Sequence, residues 1–225
     1  LVGEFDKLYA VKNKNTFAYV ESNTLYFTTD GGQTATESDL DVSAFEIVTD
    51  VFYLSDDIVY ATNRDLAGGS YISYVHKSTD GGETFTQLST LLPSGFSGNT
   101  ASSFQVHFFD ETYGVSWGRT SFDGDIVDIV IHTTDGGQNW DTIDYNYKVV
   151  DDFNDVMCNS DGSIYIFERE ILYSSDKGQT WTLLVEDAPL GASGNFSNAG
   201  STLWGVGWGG TQEPCRVKST DDGET

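Results

Sequence analysis

The sequence predicts an all-β fold, a β-propeller of four-stranded antiparallel blades. Three observations predict it: a phrase repeated five times, strand-like stretches filling each interval between copies, and a composition suited to tight turns. The most complete copy of the phrase is Ser174-Ser-Asp176-Lys-Gly178-Gln-Thr180-Trp181. The others are Thr28-Thr-Asp30-Gly-Gly32-Gln-Thr34-Ala35, Ser78-Thr-Asp80-Gly-Gly82-Glu-Thr84-Phe85, Thr133-Thr-Asp135-Gly-Gly137-Gln-Asn139-Trp140 and, at the end of the chain, Ser219-Thr-Asp221-Asp-Gly223-Glu-Thr225. The aspartates recur at intervals of 50, 55, 41 and 45 residues, the size of a propeller blade.

Each copy reads as a hairpin turn. The Asp carboxylate accepts backbone N–H groups just ahead of it, a Gly supplies positive φ, and the Ser or Thr two residues earlier bonds the same backbone. The residue after the second Thr position is Ala35, Phe85, Trp140 or Trp181, so the outgoing chain usually begins by burying a ring. With 24 Gly, 3 Pro, 14% aromatic and 20% charged residues, the rest of the composition fits short strands and turns. A chain of 225 residues makes one well-buried domain, 1–225.

The strands follow in order, in approximate blades 6–40, 41–92, 101–146, 150–187 and 193–225. The first blade reads Leu8–Lys12, Thr16–Glu21, Thr24–Thr28 and Thr34–Glu37. The second reads Phe45–Leu54, Ile58–Arg64, Tyr71–Ser78 and Phe85–Leu88. The third reads Phe104–Phe109, Tyr113–Arg119, Ile126–Ile131 and Trp140–Ile143, and the fourth Phe153–Cys158, Ile164–Arg169, Ile171–Ser174 and Trp181–Val185. The fifth offers three strands, Asn195–Ala199, Leu203–Trp208 and Cys215–Ser219, and stops where a fourth should begin. Residues 1–5 precede the first strand and occupy the place of that missing fourth strand. Two arrangements fit. Either the N-terminal strand completes the fifth blade and closes a five-bladed ring, or these residues are part of a six- to eight-bladed propeller or longer array.

The repeats resemble the Asp-box, or BNR, pattern S/T-x-D-x-G-x-T-W/F, with Ala35 and Asn139 as departures. Sialidases, some endoglucanases, sortilin-type receptors and photosystem assembly factors share it. The resemblance implies a sialidase-like propeller in which Asp30, Gly32, Asp80, Gly82, Asp135, Gly137, Trp140, Asp176, Gly178, Trp181, Asp221 and Gly223 are structural. It also implies that ligands bind at the opposite face, and it covers enzymes and non-enzymes alike.

Antiparallel alternation puts the hairpins and the first-to-second-strand turns on one face, and the second-to-third-strand loops on the other. Near that second face, aligning Tyr113–Arg119 with Trp204–Gly210 matches Trp117 to Trp208. Two residues later the column reads Ser22, Arg64, Arg119, Arg169 and Gly210. Three of four arginines in an acidic chain therefore share one rim. They and the two tryptophans are the candidate ligand-binding set, suited to a carboxylate- or sulfate-bearing glycan or an acidic peptide. The competing expectation is that Asp65, Asp123, Glu168 and Glu170 neutralise the arginines locally, with Trp117 and Trp208 as interblade core.

Calcium is the ion the sequence suits best, through Asp123, Asp125 and Asp128 in one acidic loop, though without EF-hand spacing; an ordinary acidic loop is the alternative. His76, His107 and His132 fall at unequal blade positions and indicate neither a metal cluster nor a triad. Cys158 and Cys215 lie in consecutive repeats and either pair, if the compartment is oxidising, or remain buried thiols.

A formal charge of −24, from 11 basic and 35 acidic side chains, argues against nucleic acid and anionic membrane surfaces as partners. No apolar run is long enough to span a bilayer, and the start at Leu1 fits a processed chain or part of a larger one. A sialidase would carry an F/Y-R-I-P stretch before its first box, yet no Arg precedes Asp30. The expectation is thus a non-catalytic recognition or scaffold module, extracellular, at the cell surface or periplasmic, binding a glycan or protein segment and open to a place in a larger surface assembly. The alternative is a glycoside hydrolase, sialidase- or endoglucanase-like, working through paired carboxylates.

Overall fold

The computed structural model describes residues 7–21, 24–40, 47–67, 70–93, 104–122, 125–143, 155–167, 170–185, 195–199, 202–208 and 214–219. All regular structure among them is antiparallel β, in sheets whose neighbouring strands are consecutive in the chain. The first sheet is β1 (Lys7–Val11), β2 (Phe17–Glu21), β3 (Thr24–Thr28) and β4 (Thr36–Glu37). The second is β5 (Ile47–Tyr53), β6 (Val59–Ala67), β7 (Ser70–Ser78) and β8 (Thr86–Thr90). The third is β9 (Phe104–Phe108), β10 (Gly114–Phe122), β11 (Asp125–Thr133) and β12 (Asp141–Thr142). The fourth is β13 (Asp155–Cys158), β14 (Ile164–Phe167), β15 (Ile171–Ser174) and β16 (Thr182–Val185). A fifth holds β17 (Asn195–Ala199), β18 (Thr202–Trp208) and β19 (Pro214–Ser219). The expected closure by residues 1–5, and the last hairpin with Asp221 and Gly223, lie outside the described residues.

The chain divides into two compact units, Leu1–Thr142 and Ile143–Thr225. Within the first, side chains alternate between the two faces of each sheet. Val59 and Ala61 of β6 join Ala18, Leu25 and Phe27 in a core between the first two sheets. Their neighbour Tyr60 turns the other way, into a core with Phe104, Val106, Phe108 and Trp140 of the third sheet. Tyr60 and Phe108 stack with centroids 3.5 Å apart and planes within 7°. Burial of a ring of this size contributes about 2–3 kcal/mol.

Polar bonds set the register between the second and third sheets. The hydroxyls of Thr49 and Thr62 donate to the Phe104 carbonyl at 2.8 and 2.7 Å, and the Val106 amide donates to Asp50 Oδ2 at 2.9 Å. In the second unit, Tyr165 and Phe167 form a smaller aromatic core with Tyr173 and Leu184 packed against it. Cys158 there carries a free thiol, whose pKa burial pushes up. Cys215 contributes its backbone to β19, and its side chain lies outside the described set.

Two differences from the expected strands matter for the site. The ring after each complete hairpin stays outside the outer strand, since β8, β12 and β16 begin after Phe85, Trp140 and Trp181. Trp140 is instead buried in the core, where it contributes more than it would on an edge strand. And β10–β11 run on past Arg119 as one hairpin, to the pair Phe122 and Asp125.

Candidate functional site

Each complete repeat builds the same closed hydrogen-bond set. In the first, Gly32 N–H donates to Thr28 Oγ1 at 3.0 Å, Thr28 Oγ1 donates to Asp30 Oδ1 at 2.9 Å, and Thr34 donates both its amide (2.9 Å) and its hydroxyl (2.6 Å) to Asp30. Ser78 with Asp80 and Thr84, and Ser174 with Asp176 and Thr180, repeat it. Asn139 does so with different chemistry, its Nδ2 donating to Asp135 Oδ2 at 2.7 Å where the other copies use a hydroxyl. The bonds from Thr34, Thr84 and Asn139 hold Asp30, Asp80 and Asp135 at pKa values of about 2. At Asp176 burial acts in the raising direction, but the Thr180 and Ser174 bonds outweigh it and the value is again lowered. These carboxylates are consumed locally, which leaves them little capacity for a ligand.

The hairpins are also tied to the neighbouring turns. Gly31, Gly81, Gly136 and Lys177 donate their amides to the carbonyls of Asn15, Asp57, Thr112 and Gly162, at 2.8–2.9 Å. Each acceptor sits in the turn between the first and second strands of the same sheet, so both turns lie at one end of it, as the sequence implies. The second glycine of the repeat packs against the preceding sheet: a Cβ on Gly82, whose φ is +101°, would lie 2.6 Å from the Phe27 ring.

The opposite sheet ends are reached by counting from the hairpins. Val59 pairs with Ser78, Gly114 with Thr133 and Leu203 with Ser219. Five residues on, without a bulge, stand Arg64 opposite Ser73, Arg119 opposite Asp128 and Trp208 opposite Pro214. Trp208 therefore shares the column of the arginines, and Val206 is the counterpart of Trp117. The expected match of Trp117 to Trp208 is corrected by this register: the two glycine-tryptophan stretches are alike in sequence, but the ladder pairs Leu203 with Ser219 of the repeat and sets them two residues out of step. Arg169, Ser22 and Gly210 lie outside the described residues, as does the Trp208 side chain.

The two described arginines differ. Arg119 Nε and its second terminal nitrogen donate to the two oxygens of Asp128 at 3.0 and 3.2 Å, a bidentate pair in which Asp128 is nearly buried. Arg64 makes no ion pair among the described residues. Its guanidinium carbon lies 4.5 Å from the centroid of Tyr71, and its buried Nε has no hydrogen-bond partner among the described residues. Stacking on a ring attracts a cation without neutralising it. Trp117 is half-buried, with Nε1 donating to Gln105 Oε1 at 2.9 Å across the β9–β10 pair.

The acidic stretch is not one loop. Asp125 and Asp128 are both in β11, three residues apart and so on opposite faces of the strand, and Asp128 is engaged by Arg119. The expectation that these two converge with Asp123 on one ion is corrected accordingly; Asp123 itself lies outside the described residues. Among the described residues the ion-pair partner of Arg119 is thus Asp128. Among the described residues no group of three His, Cys, Asp or Glu side chains is placed to share a metal ion.

Sequence reasoning missed the surroundings of Arg64. Ile47 pairs with Arg64, and Leu66 with Tyr71, so all four side chains are on one face at one end of the second sheet. Ile47 is 46% and Leu66 36% exposed, two of the four exposed large hydrophobics among the described residues. Counting strand pairs outward from Ser78 reaches Leu66 and Tyr71, whereas Ile47 lies beyond a register shift between Val48 and Asp50 that no counting supplies.

No protein-family model matches the sequence, and no curated protein matches it. Solved structures do. YCF48 bound to D1 peptide superposes with a TM-score of 0.61 at 16% identity, over 96% of this chain and 64% of that one. A protein of unknown function from Dyadobacter fermentans gives 0.56 at 15%, over 96% and 78%. The α-L-arabinanase of Penicillium chrysogenum complexed with arabinobiose gives 0.54 at 11%, over 97% and 71%. This chain thus spans 64% of the length of that YCF48 chain. What is shared at these identities is the fold: the protein is a β-propeller of four-stranded antiparallel blades.

Proposed function

We propose that this chain is an Asp-box propeller acting as a non-catalytic recognition or scaffold module, extracellular or at the cell envelope, that binds a glycan or protein segment at the sheet ends opposite the repeated hairpins. One observation carries the reading: Arg64 presents a guanidinium, stacked on Tyr71 and free of any ion pair among the described residues, at the end of the sheet where the hairpins are not. Such a group recognises a carboxylate or sulfate. The hairpin end is occupied with its own hydrogen bonds. The peptide held by YCF48, a fold neighbour, is in keeping with a protein partner.

A glycoside hydrolase is the competing reading, favoured by the arabinanase among the fold neighbours. The two separate in one experiment. A binding module gives hits on a glycan array or in a pull-down, loses them on Arg64→Gln, and turns over none of a panel of fluorogenic glycosides. Turnover that disappears on changing a single carboxylate would sink the module reading and establish the hydrolase.

A further inference from the structure

We infer that the occupant of the Arg64 end of the second sheet is a protein segment in which an acidic side chain is flanked by aliphatic or aromatic residues. The inference rests on the recognition reading above and chooses between the two ligand classes it leaves.

The patch is Ile47, Arg64, Leu66 and Tyr71, brought to one sheet face by the pairs Ile47 with Arg64 and Leu66 with Tyr71. The same face continues inward through Thr62 to Tyr60 in the core with the third sheet, so the patch is the solvent-facing end of a packed layer. A saccharide needs a fan of hydrogen-bonding side chains for its hydroxyls and an open aromatic plane for its ring. Here the aromatic ring among the described patch residues is Tyr71, and one of its faces is already covered by the guanidinium at 4.5 Å. The two residues flanking the cation are aliphatic and exposed. They offer nothing to a hydroxyl, but they gain from covering by aliphatic side chains of a partner.

Charge sets the rest of the specificity. The patch holds one cation on a chain of net charge −24. A strongly acidic segment would be repelled by the surface at large, whereas a single carboxylate among apolar residues pairs with Arg64 and buries Ile47 and Leu66 together. The third sheet shows the same column closed off: Arg119 has Asp128 where Arg64 has Ser73.

The test is selection of a phage-displayed library of random peptides on the intact chain, with calorimetric titration of enriched peptides. Enrichment of Asp or Glu beside Ile, Leu, Val or Phe is expected. Affinity for those peptides should weaken about tenfold or more in the double variant Ile47→Asn, Leu66→Asn, and as much in Arg64→Gln. Ser73→Asp keeps the arginine but supplies an internal carboxylate, and should weaken binding to a similar degree; if that variant melts early, Arg64→Gln carries the electrostatic arm. Failure to enrich any such peptide, or affinities unchanged in both the aliphatic and the arginine variants, overturns the inference. Arg64-dependent binding of oligosaccharides alone overturns it too, yet leaves the recognition reading standing. Glycoside turnover removes both.

Discussion

Arg64 and Arg119 stand at the same step of the second strand in neighbouring sheets, five residues beyond the partner of the repeated Ser or Thr. Among the described residues only Arg119 of the two has an ion-pair partner. The residue across the ladder decides it: Asp128 in one sheet, Ser73 in the other. The repeat fixes the backbone at the hairpin end of both sheets, while one third-strand position sets the electrostatics of the far end. At the hairpin end the sheets are alike, down to Asn139 supplying by an amide what Thr supplies elsewhere.

Both arginines are placed by the frame that the hairpins set, so the largest effect should come from breaking that frame. Gly82→Ala places a Cβ at φ +101° and 2.6 Å from the Phe27 ring. Strain and overpacking together should cost about 3 kcal/mol or more, read as a fall in the denaturant midpoint. Unchanged stability would show that the hairpin end does not lock adjacent sheets.

Next is the charge pair itself. Asp128→Ser gives the third sheet the residue of the second. Because Arg119 is 39% exposed while Asp128 is nearly buried, the loss in stability should be about 1–2 kcal/mol, below that for a fully buried pair. The same variant should gain affinity for an acidic peptide at Arg119, and a titration showing no gain would separate exposure of a guanidinium from its ability to bind. The converse change, Ser73→Asp, should cost about 1.4 kcal/mol of ligand binding, a tenfold loss, and because Ser73 is fully buried it should also lower the melting temperature. Retained binding would mean that Arg64 and Arg119 are not equivalent.

The smallest effect is mild acid, and each of these two sheets has a histidine to report it. Burial holds His76 and His107 at pKa values of about 4, opposed at His76 by the charge of Asp39. Their unfolded pKa is near 6.5, so between those values the unfolded chain binds more protons and stability falls as the pH drops. The loss from pH 7.5 to 6 should be on the order of 1 kcal/mol, and His107→Phe should reduce it. The hairpin aspartates, lowered to about 2, lose their contribution only as the pH falls below about 4. A thermal-melting series against pH that stays flat down to 4 would contradict the histidine assignment.

The sequence by itself determined the repeat, the turns and nearly every strand. The predicted Thr24–Thr28, Ile171–Ser174 and Asn195–Ala199 coincide with β3, β15 and β17, and most other ends differ by one to three residues. It could do so because a hairpin is local. A carboxylate, a glycine and a hydroxyl within seven residues close their own hydrogen bonds, and alternation in the adjoining strands follows from the pleat. It also picked out Arg64 and Arg119 as a column, by counting along one strand. What lies across the ladder was decided by tertiary structure. That Asp128 meets Arg119, that Trp208 falls in line with the arginines, and that Ile47, Leu66 and Tyr71 gather around Arg64 all depend on register carried across two strands. A shift of one residue there turns each side chain to the other face. Local chemistry fixes where a strand begins, but only the paired strands fix which side chains meet at its far end.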